Sequence, residues 1–385
     1  MRVLRIIASV DPAQGGPGEG MMRSAVLHRD MGIETEVLSL DPPDSPHVAA
    51  FPFRVHAMGK LIRRYGYTPK LKRWIGQHAQ DYDAAVVHGL WNYAVVGGGR
   101  ALLRAGLPYV VFTHGMMDPW FRAAYPRKHF AKQMFWWAQQ GKVLNRAQIV
   151  LFTSQEEMKL AGNVFRGAHY QGQVVAYGAA VPEVGNAAAN AERFRALCPE
   201  LGTAPYLLFL SRIHEKKGAD ILVEAFARNA AARPDLHLVI AGPDQVGLVA
   251  KLRKQAAAAG LSERIHFPGM ITGEAKWGAY FGAEAFTLPS HQENFGIAVA
   301  EALGCGLPVI TTDKVNIWRE IAAARAGFIG RDEVDDFSGL LRDWITLPAA
   351  RKDEMREAAR ACHRENFSLD GAANALRTVL EEISQ

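Results

Sequence analysis

The sequence predicts an α/β protein of two domains, each built on a parallel sheet covered on both faces. Three observations predict it. The chain has 385 residues, two to three times a typical domain of ~150. Short apolar runs alternate with helical patterns, and each run ends in a Gly-bearing or polar turn, as buried parallel strands do. The alternation stops near 181–190 and then restarts.

In the first half, strands are expected at 3–8, 34–40, 84–88, 109–113, 149–153 and 174–177. Helices fill 19–31, 93–105, 127–144 and 155–161. Ser154 and Glu157 stand at capping-box spacing before the last of these. Val181-Pro-Glu-Val-Gly-Asn-Ala-Ala-Ala-Asn190 is small and punctuated by Pro and Gly, as a linker should be. Beyond it, strands fit 206–210, 237–241, 264–267, 285–288 and 308–311, with helices at 219–231, 246–259, 296–303 and 334–347. After Phe367, the residues Ala372, Leu376, Val379 and Leu380 recur at helical spacing, so the tail reads as an amphipathic helix packed on a core. The domains are therefore set at 1–182 and 190–366, followed by a terminal helix at 367–385.

Composition narrows the class. Hydrophobic residues make up 49% and charged residues 22%, which excludes wholesale disorder, coiled coil and collagen. Cys198, Cys305 and Cys362 lie far apart without a C-x-x-C pair, so a disulfide scaffold and a zinc ribbon are excluded and a cytoplasmic protein is expected. The opening Arg2-Val-Leu-Arg-Ile-Ile reads as a strand rather than a targeting segment. No window offers the ~18 uncharged apolar residues of a membrane span. The net charge of +5 conceals an asymmetry: residues 1–180 carry 21 basic and 12 acidic side chains, the rest 23 and 27. Within 54–146 the count is 15 against 3. Such a field points to an anionic partner: nucleic acid, a membrane surface or an anionic small molecule.

Five segments have the makings of a site. Gln14-Gly-Gly-Pro-Gly-Glu-Gly20 joins the first strand to the first helix, where backbone N–H groups can approach a phosphate; a tight turn is the plain alternative. His88-Gly and His114-Gly-Met-Met-Asp118-Pro-Trp120 each follow an expected strand, at the sheet end where open α/β folds bind ligands. A lone histidine is more often structural. Ser211-Arg212-Ile-His-Glu-Lys-Lys217-Gly also leaves a strand end, with cations suited to a diphosphate. The most specific segment is Glu293-Asn294-Phe295-Gly296-Ile297-Ala-Val-Ala-Glu301. It has a loop carboxylate, a helix start whose amides can hold phosphate, and a second carboxylate eight residues on, suited to sugar or ribose hydroxyls. Asp81-Tyr-Asp83 is a D-x-D, but it precedes its strand and so reads as a polar strand entry rather than a metal site. The basic and aromatic stretches 54–74 and 120–137 suit the interface of an anionic membrane, or RNA. Aromatics in the core and charges in solvent are the alternative.

Together these residues resemble the family 4 retaining glycosyltransferases and their Glu-x7-Glu motif. The resemblance spans essentially the whole chain. It takes in the Gly-rich first loop, His114-Gly, Thr153-Ser-x-x-Glu, Tyr177-Gly178, Arg212 with Lys217-Gly, Ala241-Gly242-Pro, Phe267-Pro268-Gly269 and the helix running to Gly304-Cys-Gly-Leu-Pro. It implies the GT-B fold: two Rossmann-like domains facing across a cleft, with the last helix returning to the first domain. By the same resemblance, Arg212, Lys217 and the amides at Gly296 and Ile297 bind the diphosphate of a nucleotide-sugar, and Glu301 holds the ribose. Asn294, Phe295 and Gly242 complete the donor site, and Pro268, Gly269 and Met270 flank the base. Glu293 and His114 contact the transferred sugar, and Gly16 closes over the phosphates. His88, Asp118 and Trp120 are assigned to the acceptor side. The family implies retention of configuration with no protein nucleophile, no metal and no cofactor.

The expected activity is transfer of a hexose to a glycan or lipid-linked acceptor in polysaccharide or glycolipid synthesis. GDP-mannose is preferred slightly over a UDP-sugar. An anionic membrane surface is the expected partner, on the inner face of the cytoplasmic membrane; nucleic acid is not. Two positions depart from the family pattern: Leu210-Ser-Arg, where Gly-Arg is frequent, and Tyr177-Gly, where Asn-Gly is frequent. Three rivals explain less. A nucleic-acid-binding protein using 54–146 leaves the Glu-x7-Glu segment unexplained. A nicotinamide dehydrogenase needs G-x-G-x-x-G, which the first loop lacks. A glucan phosphorylase needs a longer chain and a pyridoxal-lysine context.

Overall fold

The computed structural model describes residues 1–14, 16–61, 65–182 and 186–385, without the side chains of Gln14, Pro17, Glu19 and Ala123. The chain divides into two compact units. One comprises 1–177 and 369–385, the other 178–368.

The first unit holds seven strands: β1 (Arg2–Ile7), β2 (Glu34–Ser39), β3 (Val55–Ala57), β4 (Ala84–His88), β5 (Tyr109–Phe112), β6 (Ile149–Phe152) and β7 (Gly172–Val174). They pair in the order β3-β2-β1-β4-β5-β6-β7, all parallel. β4, β5 and β6 are buried along their whole length, as an apolar run in a doubly covered sheet requires. The helix Tyr93–Ala105 shows how local sequence sets the boundaries. Asn92 Oδ1 accepts from the Val95 N–H at 3.2 Å, and Gly106, at φ 73°, ends the helix. The terminal helix Leu369–Ile383 buries Leu376, Val379 and Leu380 against Val3, Val86, Val110 and Leu151 of this sheet. The amphipathic tail therefore completes the first unit's core.

The second unit holds β8 (Tyr206–Leu210), β9 (His237–Ala241), β10 (Ile265–Gly269), β11 (Ala285–Leu288), β12 (Val309–Thr312) and β13 (Gly327–Gly330). Their order is β10-β9-β8-β11-β12-β13, again all parallel. Strand order reverses between β8 and β11, the switch point at which such sheets bind ligands.

The structure corrects several expected elements. β7 spans Gly172–Val174, so 175–177 leave the sheet. The edge strands β3 and β13 were not anticipated, because three or four residues with little alternation give little signal. The helix Pro69–His78 was also missed. The expected linker ends early: Ala187–Leu197 is a helix, in keeping with its alanines, and Phe194 anchors it in the core. The expected helix 127–144 is interrupted by a π-helical turn at Trp136–Gln140.

Candidate active site

In the second unit, the carboxyl ends of β8 to β11 gather most of the residues assigned to the donor. The loops leaving β8 and β9 run together: Ile213 N–H donates to the Pro243 carbonyl at 2.9 Å. Gly242, at φ 141°, sits where these loops touch, and a Cβ there would stand 1.8 Å from the Ser211 carbonyl oxygen, so only glycine fits. Arg212 is exposed at this end, with Nη1 donating to Gln245 Oε1 at 3.2 Å. Lys217 is buried, and its ammonium is ion-paired with Glu293 Oε2. Two residues assigned separately to diphosphate and sugar thus meet each other.

Gly296 caps the helix Ile297–Gly304 at φ 78°. This left-handed residue turns the chain out of the Glu293 loop, and the first amides of the helix have no partner within it. The loop itself is held by backbone bonds, Glu293 N–H to the Lys314 carbonyl at 2.9 Å and Asn316 N–H to the Glu293 carbonyl at 3.0 Å. Glu301 is not an exposed helix residue. It is buried, with Oε1 accepting from Lys276 Nζ at 2.7 Å and Oε2 from Tyr280 Oη at 3.0 Å. Burial, and then the Glu301 carboxylate, push the Tyr280 pKa well above its ordinary value, which keeps its hydroxyl a donor. Lys276 and Tyr280 were missed by sequence reasoning; their spacing of four residues on one helix is unremarkable until both are seen to reach one carboxylate. Asn294 Oδ1 accepts from Asn316 Nδ2 at 3.5 Å. Phe295 points its ring into the core, edge-on to Phe367 at 5.7 Å. Pro268, Gly269 and Met270 stand at the end of β10, where the Gly269 carbonyl accepts from Gly242 N–H at 2.8 Å and Met270 is exposed.

In the first unit the carboxyl ends carry different chemistry. His88 closes β4, and His114 follows β5 at φ 54°. His88 Nδ1 and His114 Nε2 are 3.1 Å apart, and the two rings stack at 5.3 Å. His114 Nδ1 is bonded to Tyr177 Oη. Burial lowers the pKa of both histidines below its ordinary value, with the neighbouring His114 and then Arg5 adding to the effect at His88, so both are neutral at pH 7.

Glu157 fixes this loop. Its Oε1 accepts from Thr113 Oγ1 and Gly115 N–H, both at 2.7 Å, and its Oε2 from Thr153 N–H and Oγ1 at 2.7 and 2.6 Å. Ser154 caps the helix Gln155–Ala161 through the Glu157 N–H, as expected, but the carboxylate clamps the residues on either side of His114. Asp118 stands two residues before the short helix Trp120–Ala124 and accepts from the Trp120 N–H at 2.7 Å. It also lines a cavity of about 50 Å³ with Phe121, Lys128 and Lys132. Trp120 packs edge-on against Phe121 at 5.2 Å. Gly16 heads the helix Gly16–Asp30; beyond that placement its assigned role falls outside the described residues, as do Gly15, Arg63 and Arg64.

The Asp81-Tyr-Asp83 carboxylates lie at the amino end of β4, where Asp83 accepts from Arg2 N–H at 2.7 Å. One cluster was not foreseen: ligand atoms of Cys198, Glu200 and His266 lie within 4.8 Å of one another. His266 belongs to β10, and its Nε2 is 2.8 Å from Nδ1 of His237, the first residue of β9, so the cluster sits at the opposite end of the sheet from the Glu293 loop. Burial and the neighbouring Glu200 push the Cys198 thiol up to about 11, so it is an S–H at neutral pH. Among the described residues no helix is long and apolar enough to cross a membrane.

Two family models match the chain: a glycosyl transferase 4-like domain over residues 15–178 and glycosyl transferases group 1 over 192–361. A D-inositol 3-phosphate glycosyltransferase of Streptomyces avermitilis is 32% identical over 51% of this chain and 43% of its own length. The lipopolysaccharide core biosynthesis mannosyltransferase LpsB of Rhizobium meliloti is 27% identical over 48% of this chain and 54% of its own. The match thus spans about half the length of these relatives or less. Anabaena HepE, solved in complex with UDP and glucose, superposes with a TM-score of 0.74 at 20% identity, covering 99% of this chain and 100% of that one. WaaG, a glycosyltransferase involved in lipopolysaccharide biosynthesis, gives 0.65 at 16% identity, covering 100% and 99%. The likeness to these structures is one of fold. With two Rossmann-like units and one family model on each, the chain belongs to the family 4 glycosyltransferases of the GT-B fold.

Proposed function

We propose that this chain transfers a hexose, with retention of configuration, from a nucleotide-diphosphate sugar to a glycan or lipid-linked acceptor. The observation that carries this reading is the set of groups at the β8–β11 ends. Arg212 is exposed there, the buried Lys217 pairs with the half-buried Glu293, and the Ile297–Gly304 helix opens behind them. An ion pair drawn partly out of water contributes little net stability, so its position at the ligand-binding end favours a role in chemistry. Negative charge develops on the departing diphosphate; a guanidinium, an ammonium and helix amides meet it without a metal. Glu301, held by Lys276 and Tyr280, retains lone pairs for ribose hydroxyls. No protein nucleophile is needed, and Glu293 acts by contact rather than by covalent bond.

The donor is a hexose on UDP or GDP. The HepE complexes with UDP and UDP-glucose support the first, and the mannosyltransferase LpsB supports mannose as the sugar. GDP-mannose keeps its slight preference, and the two belong side by side in the assay. The first unit takes the acceptor and docks on an anionic membrane. Phe130, Met134 and Trp137 are exposed at helical spacing beside the exposed Arg127 and Lys128. Release of nucleoside diphosphate from a panel of UDP-, GDP- and ADP-sugars tests the reading. One donor should be turned over equally with and without EDTA, and Arg212→Ala should abolish turnover. Turnover that requires a divalent ion, or no turnover of any donor with lipid-linked acceptors present, would overturn it.

A further inference from the structure

Arg5 stands on β1, between β2 and β4 in the first sheet, and is fully buried with no carboxylate partner among the described residues. Its Nη1 donates to Ser24 Oγ at 2.7 Å and to the Met21 carbonyl at 3.3 Å, and its Nη2 lies 3.1 Å from His28 Nδ1. His28 Nε2 lies 2.9 Å from the Ala373 carbonyl on the terminal helix. Among the buried atoms without a partner in the described residues are Arg5 Nε and His88 Nε2. Both side chains line one cavity of about 20 Å³, closed by Gly20, Tyr177, Ala372 and Leu376. That is the size of a single water site, and a water needs polar partners such as these two.

A guanidinium donates and never accepts, so it dictates the direction of every hydrogen bond around it. We propose that Arg5 is a positioning residue that sets the tautomers of His88 and His114 through one water bound between Arg5 Nε and His88 Nε2. The water accepts from Arg5 Nε–H and donates to His88 Nε2. His88 then carries its proton on Nδ1 and gives it to His114 Nε2, 3.1 Å away. His114 in turn carries its proton on Nδ1, where Tyr177 Oη accepts it. On the other side His28 accepts from Arg5 at Nδ1 and donates from Nε2 to the Ala373 carbonyl. The depressed pKa values of His28, His88 and His114 agree with three neutral rings. His114 is thereby presented as a donor, and a sugar oxygen can take the proton that Tyr177 accepts. This last consequence rests on the reading of His114 as a sugar contact; the tautomers do not.

The test is a two-bond ¹H–¹⁵N imidazole correlation spectrum of the full chain labelled with [¹⁵N]histidine at pH 7.5. Signals are assigned by their loss in His28→Gln, His88→Gln and His114→Gln. His88 and His114 should be protonated on Nδ1 and His28 on Nε2. His88 protonated on Nε2 would overturn the proposal; a chloride in the cavity, which accepts from both sides, would produce that result. Arg5→Lys keeps the charge but lacks Nε; it should mix the His88 tautomers and lower kcat about tenfold with the donor KM within twofold. Unaltered tautomers in folded Arg5→Lys would also overturn it. If that variant does not fold, the wild-type spectrum decides alone. A protein with these tautomers but no transfer activity would refute the proposed function and leave the role of Arg5 standing.

Discussion

The two units share a scaffold and differ in what they place on it. Both sheets run third-second-first-fourth-fifth-sixth in their own strand order, the first adding a seventh strand at its edge, so each offers the same crevice at its carboxyl ends. In the second unit that end carries formal charge: Arg212, the Lys217–Glu293 pair, and Glu301 held by Lys276. In the first it carries neutral stacked rings, with His88, Phe112, His114 and Tyr177 within 5.1 to 6.1 Å of their neighbours. The difference shows that the fold supplies position and the loop residues supply chemistry. Charged loops suit a diphosphate. Neutral imidazoles suit hydroxyl groups, which they can orient without attracting phosphate.

The comparison can be broken most forcefully in the second unit. Lys217→Met removes one ammonium and leaves Glu293 without its ion-pair partner. Turnover should fall about 10²–10³-fold, as when a donor to developing charge is lost. A kcat/KM within threefold of wild type would separate the pair from the chemistry. The next effect belongs to the first unit. Glu157→Gln puts an amide where four donors meet one buried carboxylate, so at least one donor loses its acceptor. Unfolding in urea should show a loss of about 2–3 kcal/mol. An unchanged midpoint would mean that the loop does not need the clamp. The smallest effect is at the surface. Phe130→Ser with Trp137→Ser should leave the urea midpoint within the range of ordinary surface changes, about 0.5 kcal/mol. The double variant should lose flotation with anionic vesicles, and wild-type protein that does not float would remove the membrane from the account.

The same contrast explains what could be read from the sequence. The charged loops of the second unit are contiguous segments after obvious strands, so Arg212, Lys217, Glu293 and Glu301 were legible as candidates. Their pairings were not. Lys217 meets Glu293 across 76 residues, and Lys276 meets Glu301 from another helix. In the first unit, His88 and His114 were visible as strand-end histidines, but their contact depends on the β4–β5 register, which pairs His88 with Phe112. Arg5 was invisible as a site residue, because a lone arginine in a strand reads as solvent-facing. Here the terminal helix, 345 residues beyond His28, supplies the Ala373 carbonyl and helps close the cavity above it. Glu157 was legible only as a cap, because its other partners come from the β5 loop.

On the proposed reading the charged loops of the second unit hold the nucleotide, and the histidines of the first do not. Isothermal titration of UDP and GDP into wild-type protein, Arg212→Ala and His114→Ala tests it most directly. The account predicts that one nucleotide binds with EDTA present, that Arg212→Ala weakens its Kd by about tenfold or more, and that His114→Ala leaves it within twofold. Equal weakening by both variants, or weakening by His114→Ala alone, would contradict it.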